Sequence, residues 1–287
     1  MRTINPKELS TRAISNFLTS AVVPRPIALV STIDESGTPN LSPFSFFNAF
    51  SNVPPILVFS PAKSSLTGNI KDTYQNVKTI PECVIHIANY AMAEQLSVTS
   101  GLYPSGVNEF LKGGFTEEKS LLVRPPRVKE APIAFECVVK QIIELGNEGG
   151  AGNLVICEIV MIHHQEELAD ENGNIIIEKL DPIARLGYNY YSRIFAEDIF
   201  ETPKPLNAFG VGVDAIPQWI KDAGLLTGNE LGKLASLSTV PEKTEIENEP
   251  ALEEIVKNFK SGSIHLIKEL LDENKMREAW LVLLNIH

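Results

Sequence analysis

The chain has 287 residues, 44% of them hydrophobic and 21% charged, a globular mix long enough to bury a sizeable core in one large domain or a domain with an appendage. Its formal net charge of -11 argues against nucleic acid as the main partner, because binding a phosphate backbone needs a basic surface to replace counterions. No apolar run approaches the roughly 18 residues that cross a bilayer, and the start MRTINPKELSTRAISNF lacks the apolar core of a secretory signal, so a cytoplasmic protein with no membrane partner is expected.

Residues 25–33, RPIALVSTI, read as a β-strand that ends in a turn at Asp34-Glu35-Ser36-Gly37. Two further strands are expected around 40–50 and 55–60, giving a meander. From 64 to 78 the period changes: Leu66, Ile70, Tyr74 and Val77 recur at helical spacing, with Ser64 or Ser65 placed to cap the start. ECVIHIA at 82–88 returns to strand, AMAEQLSV at 91–98 reads as a short helix, and GLYPSGVNEF as loop and a helical turn.

Two longer β segments follow at 132–145 and 152–168, joined by NEGGAG. Phosphate-cradling glycine loops run from a strand into a helix; this one runs from strand to strand and reads as a hairpin. GVGVDA at 210–215 has no third glycine and no βαβ setting, so no dinucleotide fingerprint is present. The three cysteines, Cys83, Cys137 and Cys157, each lie in an apolar run with no CxxC spacing, and are expected as buried thiols. No spacing of histidines and carboxylates compels a metal site.

After Pro203 and Pro205 the character of the chain changes. PEKTEIENEPALEE at 241–254 reads as an exposed linker and helix start. Leu252, Ile255, Val256 and Phe259 then form one helical stripe, and Ile264, Ile267, Leu270 and Leu271 a second. The expected organisation is α+β, mainly β with helices: a domain over 1–200 and a C-terminal helical extension over 206–287.

PNLSPFSFFNAFSNVPPILVFSP, residues 39–61, contains no charged side chain and no clean apolar alternation. A strand covered on both faces explains the phenylalanines. It does not explain Ser42, Ser45, Asn48, Ser51 and Asn52, because each buried hydroxyl or amide left without a partner costs about 1–3 kcal/mol. A flat, partly apolar ligand edged with hydrogen-bonding atoms would use both residue types, and a flavin ring fits that description.

The succession PRPIALVST, DESG, PNLSPFSFFNAFSNVPP, KDTYQNV, PSGVNEF, PPRVKEAPIAFEC and DPIARLGYNYY, over about residues 20–195, resembles the flavin reductase-like family. The resemblance implies an FMN-binding split β-barrel and a homodimer with FMN at the subunit interface. For the phosphate it points to Lys71, Asp72 and Thr73 of the KDT run, with Ser31 and Thr32 as hydroxyl donors and Arg25 as a second cation. Each cation also has a structural reading, Lys71 as a solvated helix residue pairing with a nearby acid and Arg25 as a structural pairing group. For the ring it points to Ser45, Phe46, Phe47 and Asn48, and to Arg185 in a closing stretch where Tyr188 replaces a commoner second glycine. His163 and His164 alternate to opposite faces of their strand, each with a structural reading as well.

The function implied is hydride transfer from NADH or NADPH to the flavin and onward to free flavin or another small-molecule acceptor, chemistry that the cofactor itself carries. Two other readings stay open: a flavoredoxin-like electron carrier without nicotinamide turnover, and a split-barrel module for another cofactor such as heme or a deazaflavin.

Overall fold

Ser10 opens the first helix, α1 (Thr11–Ala21), by accepting the N–H of Ala13 on its hydroxyl. The computed structural model describes residues 1–64, 68–202, 209–257 and 264–286. Backbone packing divides the chain into two units, Met1–Ile199 and Phe200–His287.

In the first unit β1 (Arg25–Pro26), β2 (Ala28–Ile33), β3 (Pro39–Phe44), β4 (Phe47–Asn52) and β5 (Pro55–Phe59) follow α1. The turn after β2 forms because Asp34 accepts the N–H groups of Ser36 and Thr38 on one oxygen while Gly37 takes φ 86°. The meander is present with one more break than expected, since Ser45 and Phe46 interrupt the strand read over 40–50. That corner is also why the alternation there is not clean.

The helix expected over 64–78 is shorter: α2 spans Asp72–Thr79, with Lys71 at its N-cap. Gly68 lies at φ 70° and its N–H bonds the Ser64 carbonyl, so the chain turns before the helix although the apolar period runs through. Ser65 and Leu66 lie outside the described residues, as do Phe259, Pro203 and Pro205. Then come β6 (Glu82–Ile87), α3 (Ala93–Thr99), α4 (Glu109–Gly113), β7 (Glu117–Glu118) and β8 (Arg127–Val128). The hairpin of β9 (Ile133–Glu144) and β10 (Asn153–His164), the short α5 (Ile177–Leu180), and the hairpin of β11 (Ile183–Arg185) and β12 (Tyr191–Arg193) complete the unit.

Among the described residues a seven-stranded antiparallel sheet has the order β3-β2-β6-β9-β10-β5-β4. β3 and β4 are its two margins, yet only Ser45 and Phe46 separate them in the chain. A flat sheet would put them about 29 Å apart at normal strand spacing, whereas the three peptide steps from Phe44 to Phe47 reach only about 11 Å. The sheet therefore curls until its margins meet at a seam, the split barrel that the resemblance implies.

The barrel interior is filled by Ala28, Val30, Phe44, Phe59, Ile85 and Val155 with the three cysteines. Leu29 and Leu41 point the other way, onto Met92, Leu96 and Phe110. Being covered on both faces, β2 is buried at all six positions and reads as an unbroken run. Cys83 faces Cys137 across the β6–β9 pair and lies 3.8 Å, sulfur to sulfur, from Cys157. All three are free and buried, and contact with Cys83 together with burial holds the Cys137 and Cys157 thiols well above their ordinary range.

The second unit is helical: α6 (Gln218–Asp222), α7 (Gly228–Ala235), α8 (Pro250–Lys257), α9 (Ile264–Asp272) and α10 (Met276–Asn285). Thr227 and Glu230 form a reciprocal capping box that starts α7. The unit has its own core of Ile216, Leu234, Ile267, Leu271 and Trp280, and the Trp280 indole N–H donates to the Leu234 carbonyl at 2.9 Å. No helix among the described residues is long and apolar enough to cross a membrane.

Candidate functional site

A cavity of about 770 Å³ is lined by Asn40 and Ser42 of β3, Lys71 and Asp72 at the start of α2, and Tyr103 and Glu109. No side chain among the described residues caps α2, whose first turn meets this cavity. An uncapped helix start presents N–H groups and the positive end of the helix dipole, a setting suited to an anion. The Lys71 ammonium donates to Ser42 Oγ at 3.1 Å and to the Ser100 carbonyl at 3.5 Å, and no ion pair joins it to a carboxylate among the described residues. Burial draws its pKa down, while the charges of Glu109 and Asp72 draw it back up.

Behind this wall lies a buried polar relay. Glu109 Oε2 accepts from Asn40 Nδ2 and from the Leu41 N–H, both at 2.9 Å. Asn40 Oδ1 in turn accepts from Thr73 Oγ1 at 2.7 Å and from Thr32 Oγ1 at 3.4 Å, and Asn76 Nδ2 donates to Thr32 Oγ1 at 3.0 Å. Four neutral polar side chains between β2, β3 and α2 are thus hydrogen-bonded to one another, so α2 is seated by direction as well as by packing.

Three residues along β3 from Ser42, about 10 Å of extended chain, stands the corner at Ser45. Arg25, only 5% exposed, holds it. Its Nε donates to Ser45 Oγ at 3.3 Å, its two terminal nitrogens to the carbonyls of Val22 at 2.8 Å and Leu186 at 3.0 Å, and it also bonds the Thr19 carbonyl. The carbonyls of Thr19 and Val22 belong to the C-terminal end of α1, where the helix dipole favours a cation. Arg185 is the direct cross-strand partner of Arg25, stacks on the Tyr191 ring at 4.5 Å and donates to the Tyr190 carbonyl at 3.3 Å. Burial, and then Arg185, push the Arg25 pKa down.

The structure therefore divides the residues singled out from the sequence into two groups. Lys71 and Asp72 line the cavity, with Thr32 and Thr73 supporting its wall from within. Arg25, Ser45 and Arg185 meet at the corner. Phe46 is half exposed, Phe47 packs partly into the barrel, and Asn48, on the outer margin β4, accepts the N–H of Ala49. Ser31 is separated from Thr32 by strand alternation: its hydroxyl is buried on the Leu29 face without a hydrogen-bond partner among the described residues.

The two histidines also separate. His163 Nε2 lies 2.7 Å from the buried Glu136, and His164 Nδ1 lies beside the Gln165 carbonyl at 2.9 Å. Sequence reasoning passed over Asn40, Tyr103 and Glu109. The signal available was the polar content of PNLS in a charge-free stretch and the single acid of PSGVNEF.

Residues 20–193 match the flavin reductase like domain. An uncharacterized protein of Aquifex aeolicus is 36% identical over 191 residues, which take in 67% of this chain and 95% of that protein. The crystal structure of nitrilotriacetate monooxygenase component B from Bacillus cereus is 32% identical with a TM-score of 0.66, covering 70% of this chain and 98% of that one. The structure of 2-nitrobenzoate 2-nitroreductase from Pseudomonas fluorescens is 28% identical with a TM-score of 0.64, covering 73% of this chain and 100% of that one. The helical unit begins beyond the matched domain. With the matched domain spanning more than half of its residues, the chain belongs to the flavin reductase-like family.

Proposed function

We propose that the protein binds FMN and works as an oxidoreductase that takes hydride from NADH or NADPH and passes electrons to free flavin or another small-molecule acceptor. The observation that carries this reading is the Lys71 ammonium, in no ion pair among the described residues, beside the start of α2 in a cavity reached from the same strand as the Ser45 corner. A phosphate would sit against Lys71 and the first turn of α2, with Ser42 orienting the ammonium. The ring would lie toward Ser45, Phe46 and Phe47, where the corner leaves the margin of β4 uncovered.

Bound flavin would supply the hydride-accepting ring. The chain's own residues anchor the phosphate, stack the ring and present cationic groups, Arg25 and Arg185, near the corner. Assembly as a homodimer is part of the proposal. Phe50 and Val53 of the β4 region are 68% and 91% exposed, and α1 buries none of its residues, so apolar surface near the corner is free for a second copy.

Purified protein is titrated with FMN and FAD, then the loaded protein is mixed with NADH or NADPH in a stopped-flow instrument. Bleaching of the flavin band at catalytic rates supports the oxidoreductase. Flavin binding with inertness toward both nicotinamides supports the electron carrier instead, and refusal of FMN at large excess ends both readings.

A further inference from the structure

Glu109 is 7% exposed, lines the cavity, and gives one carboxylate oxygen to two donors, Asn40 Nδ2 and the Leu41 N–H. A carboxamide has one donor end and one acceptor end, and what lies on each side decides which way it faces. With a fixed acceptor at Glu109, the Asn40 amide turns its oxygen toward α2, where Thr73 donates at 2.7 Å. Thr73 stands in the first turn of α2, two residues after Lys71. The direction set at the start of α4 thus reaches the residues that meet the phosphate.

We propose that Glu109 is a positioning residue for the phosphate pocket, its acceptor oxygen orienting Asn40, which through Thr73 fixes the first turn of α2 and with it Lys71. This rests on the phosphate reading given above. The role belongs to the acceptor geometry of Glu109, not to its charge, because Lys71 bonds Ser42 and Ser100 rather than the carboxylate. A charge-only role, acting through space on Lys71 and on the phosphate, would be lost as fully in E109Q as in E109L.

The experiment compares the affinities of FMN and riboflavin, by quenching of flavin fluorescence, in the wild type and in E109Q, E109L, T73V and E109L/T73V. The ratio of the two affinities isolates the phosphate contribution. The glutamine variant retains an acceptor for both bonds and keeps the wild-type ratio within about threefold, while the leucine variant loses about tenfold or more of it with riboflavin affinity little changed. T73V breaks the next link and loses several-fold, and adding E109L to it causes little further loss, as expected of one relay.

An E109L ratio equal to that of the wild type overturns the inference, as does an E109Q loss matching E109L, equal losses for both ligands, or additive effects in the double variant. If E109L does not fold, an unchanged ratio in T73V overturns it alone. A wild type that does not prefer FMN to riboflavin rejects the phosphate reading and this inference with it, an outcome distinct from a preference that is present but indifferent to Glu109.

Discussion

Arg25 and Leu186 stand 161 positions apart in the chain and 3.0 Å apart in space, with the guanidinium donating to the carbonyl. That bond ties the closing hairpin of β11 and β12 to the corner at Ser45 and to the end of α1. A lysine at position 25 would supply one point charge where a planar fork now reaches four acceptors. Arg25→Lys is expected to lower stability by about 2–4 kcal/mol, read as a drop in the urea midpoint, and to weaken FMN and riboflavin binding alike. A loss confined to FMN would place Arg25 at the phosphate instead.

Tyr188, 68% exposed, adopts φ 55° at the tip of the same hairpin. An L-residue in the left-handed region carries about 1–2 kcal/mol of strain that glycine does not, part of which glycine's larger unfolded-state entropy takes back. Tyr188→Gly is expected to raise stability by about 0.5–1 kcal/mol in urea unfolding. The glycine that the resemblance leads one to expect there thus has a backbone reason. An unchanged or lower midpoint would show the tyrosine ring to be held by contacts worth more than the strain.

Glu136 is fully buried and accepts the N–H groups of Leu121, Leu122 and Val123 together with His163. Burial pushes its pKa up, the four donors more than offset this, and the net direction is downward. Glu136→Ala leaves those donors facing an apolar gap and is expected to cost about 3–5 kcal/mol. Hydrogen exchange should quicken first at the amides of Leu121 and Leu122.

His86 lies wholly inside, its Nδ1 donating to the Leu29 carbonyl at 2.8 Å and its Nε2 accepting the Val128 N–H at 2.9 Å. The Nε2 bond needs the neutral ring, and burial depresses the pKa from 6.5 to about 4 against the opposing pull of the Leu29 carbonyl. The unfolded chain then binds the proton that the folded chain refuses. Stability is fully present above pH 6.5 and falls as pH drops toward about 4, by about 3 kcal/mol from this group. Urea midpoints measured across that interval check the slope, and His86→Gln should flatten it on a lower baseline.

The cores separate by sequence: residues 27–183 fill the barrel clusters and residues 211–286 fill the helical one. Deletion of residues 200–287 is therefore expected to leave a cooperatively unfolding protein that still quenches flavin fluorescence. Loss of cooperative unfolding in the truncated chain would mean that the barrel depends on the helical unit.

How much of this was legible in the sequence follows from the range of each interaction. β2, β6, β9 and β10 could be read because burial leaves a local pattern of apolar residues, and the β9–β10 hairpin because NEGGAG breaks it. The start of α2 could not be read from Leu66 and Ile70, since the apolar period continues through a segment that Gly68 turns. Lys71 drew notice through its KDT setting. Glu109 did not, because what distinguishes it is a bond to Asn40, 69 positions away, that leaves no periodic trace. Likewise Ser31 and Thr32 look alike as neighbours and are sent to opposite faces by the pleat.

The two-residue link between the sheet margins has a bearing on how such a chain tolerates changes of length. One residue inserted between Phe44 and Phe47 would either shift β4 against β5 by a half-period, exchanging the sides on which Phe47 and Asn48 lie, or pry the seam apart. The glycine-bearing tip between β9 and β10 joins strands that are already neighbours, so extra residues there lengthen a loop and disturb at most its backbone bonds to Lys63. Tags, reporter insertions and new termini belong at that tip and not at the seam.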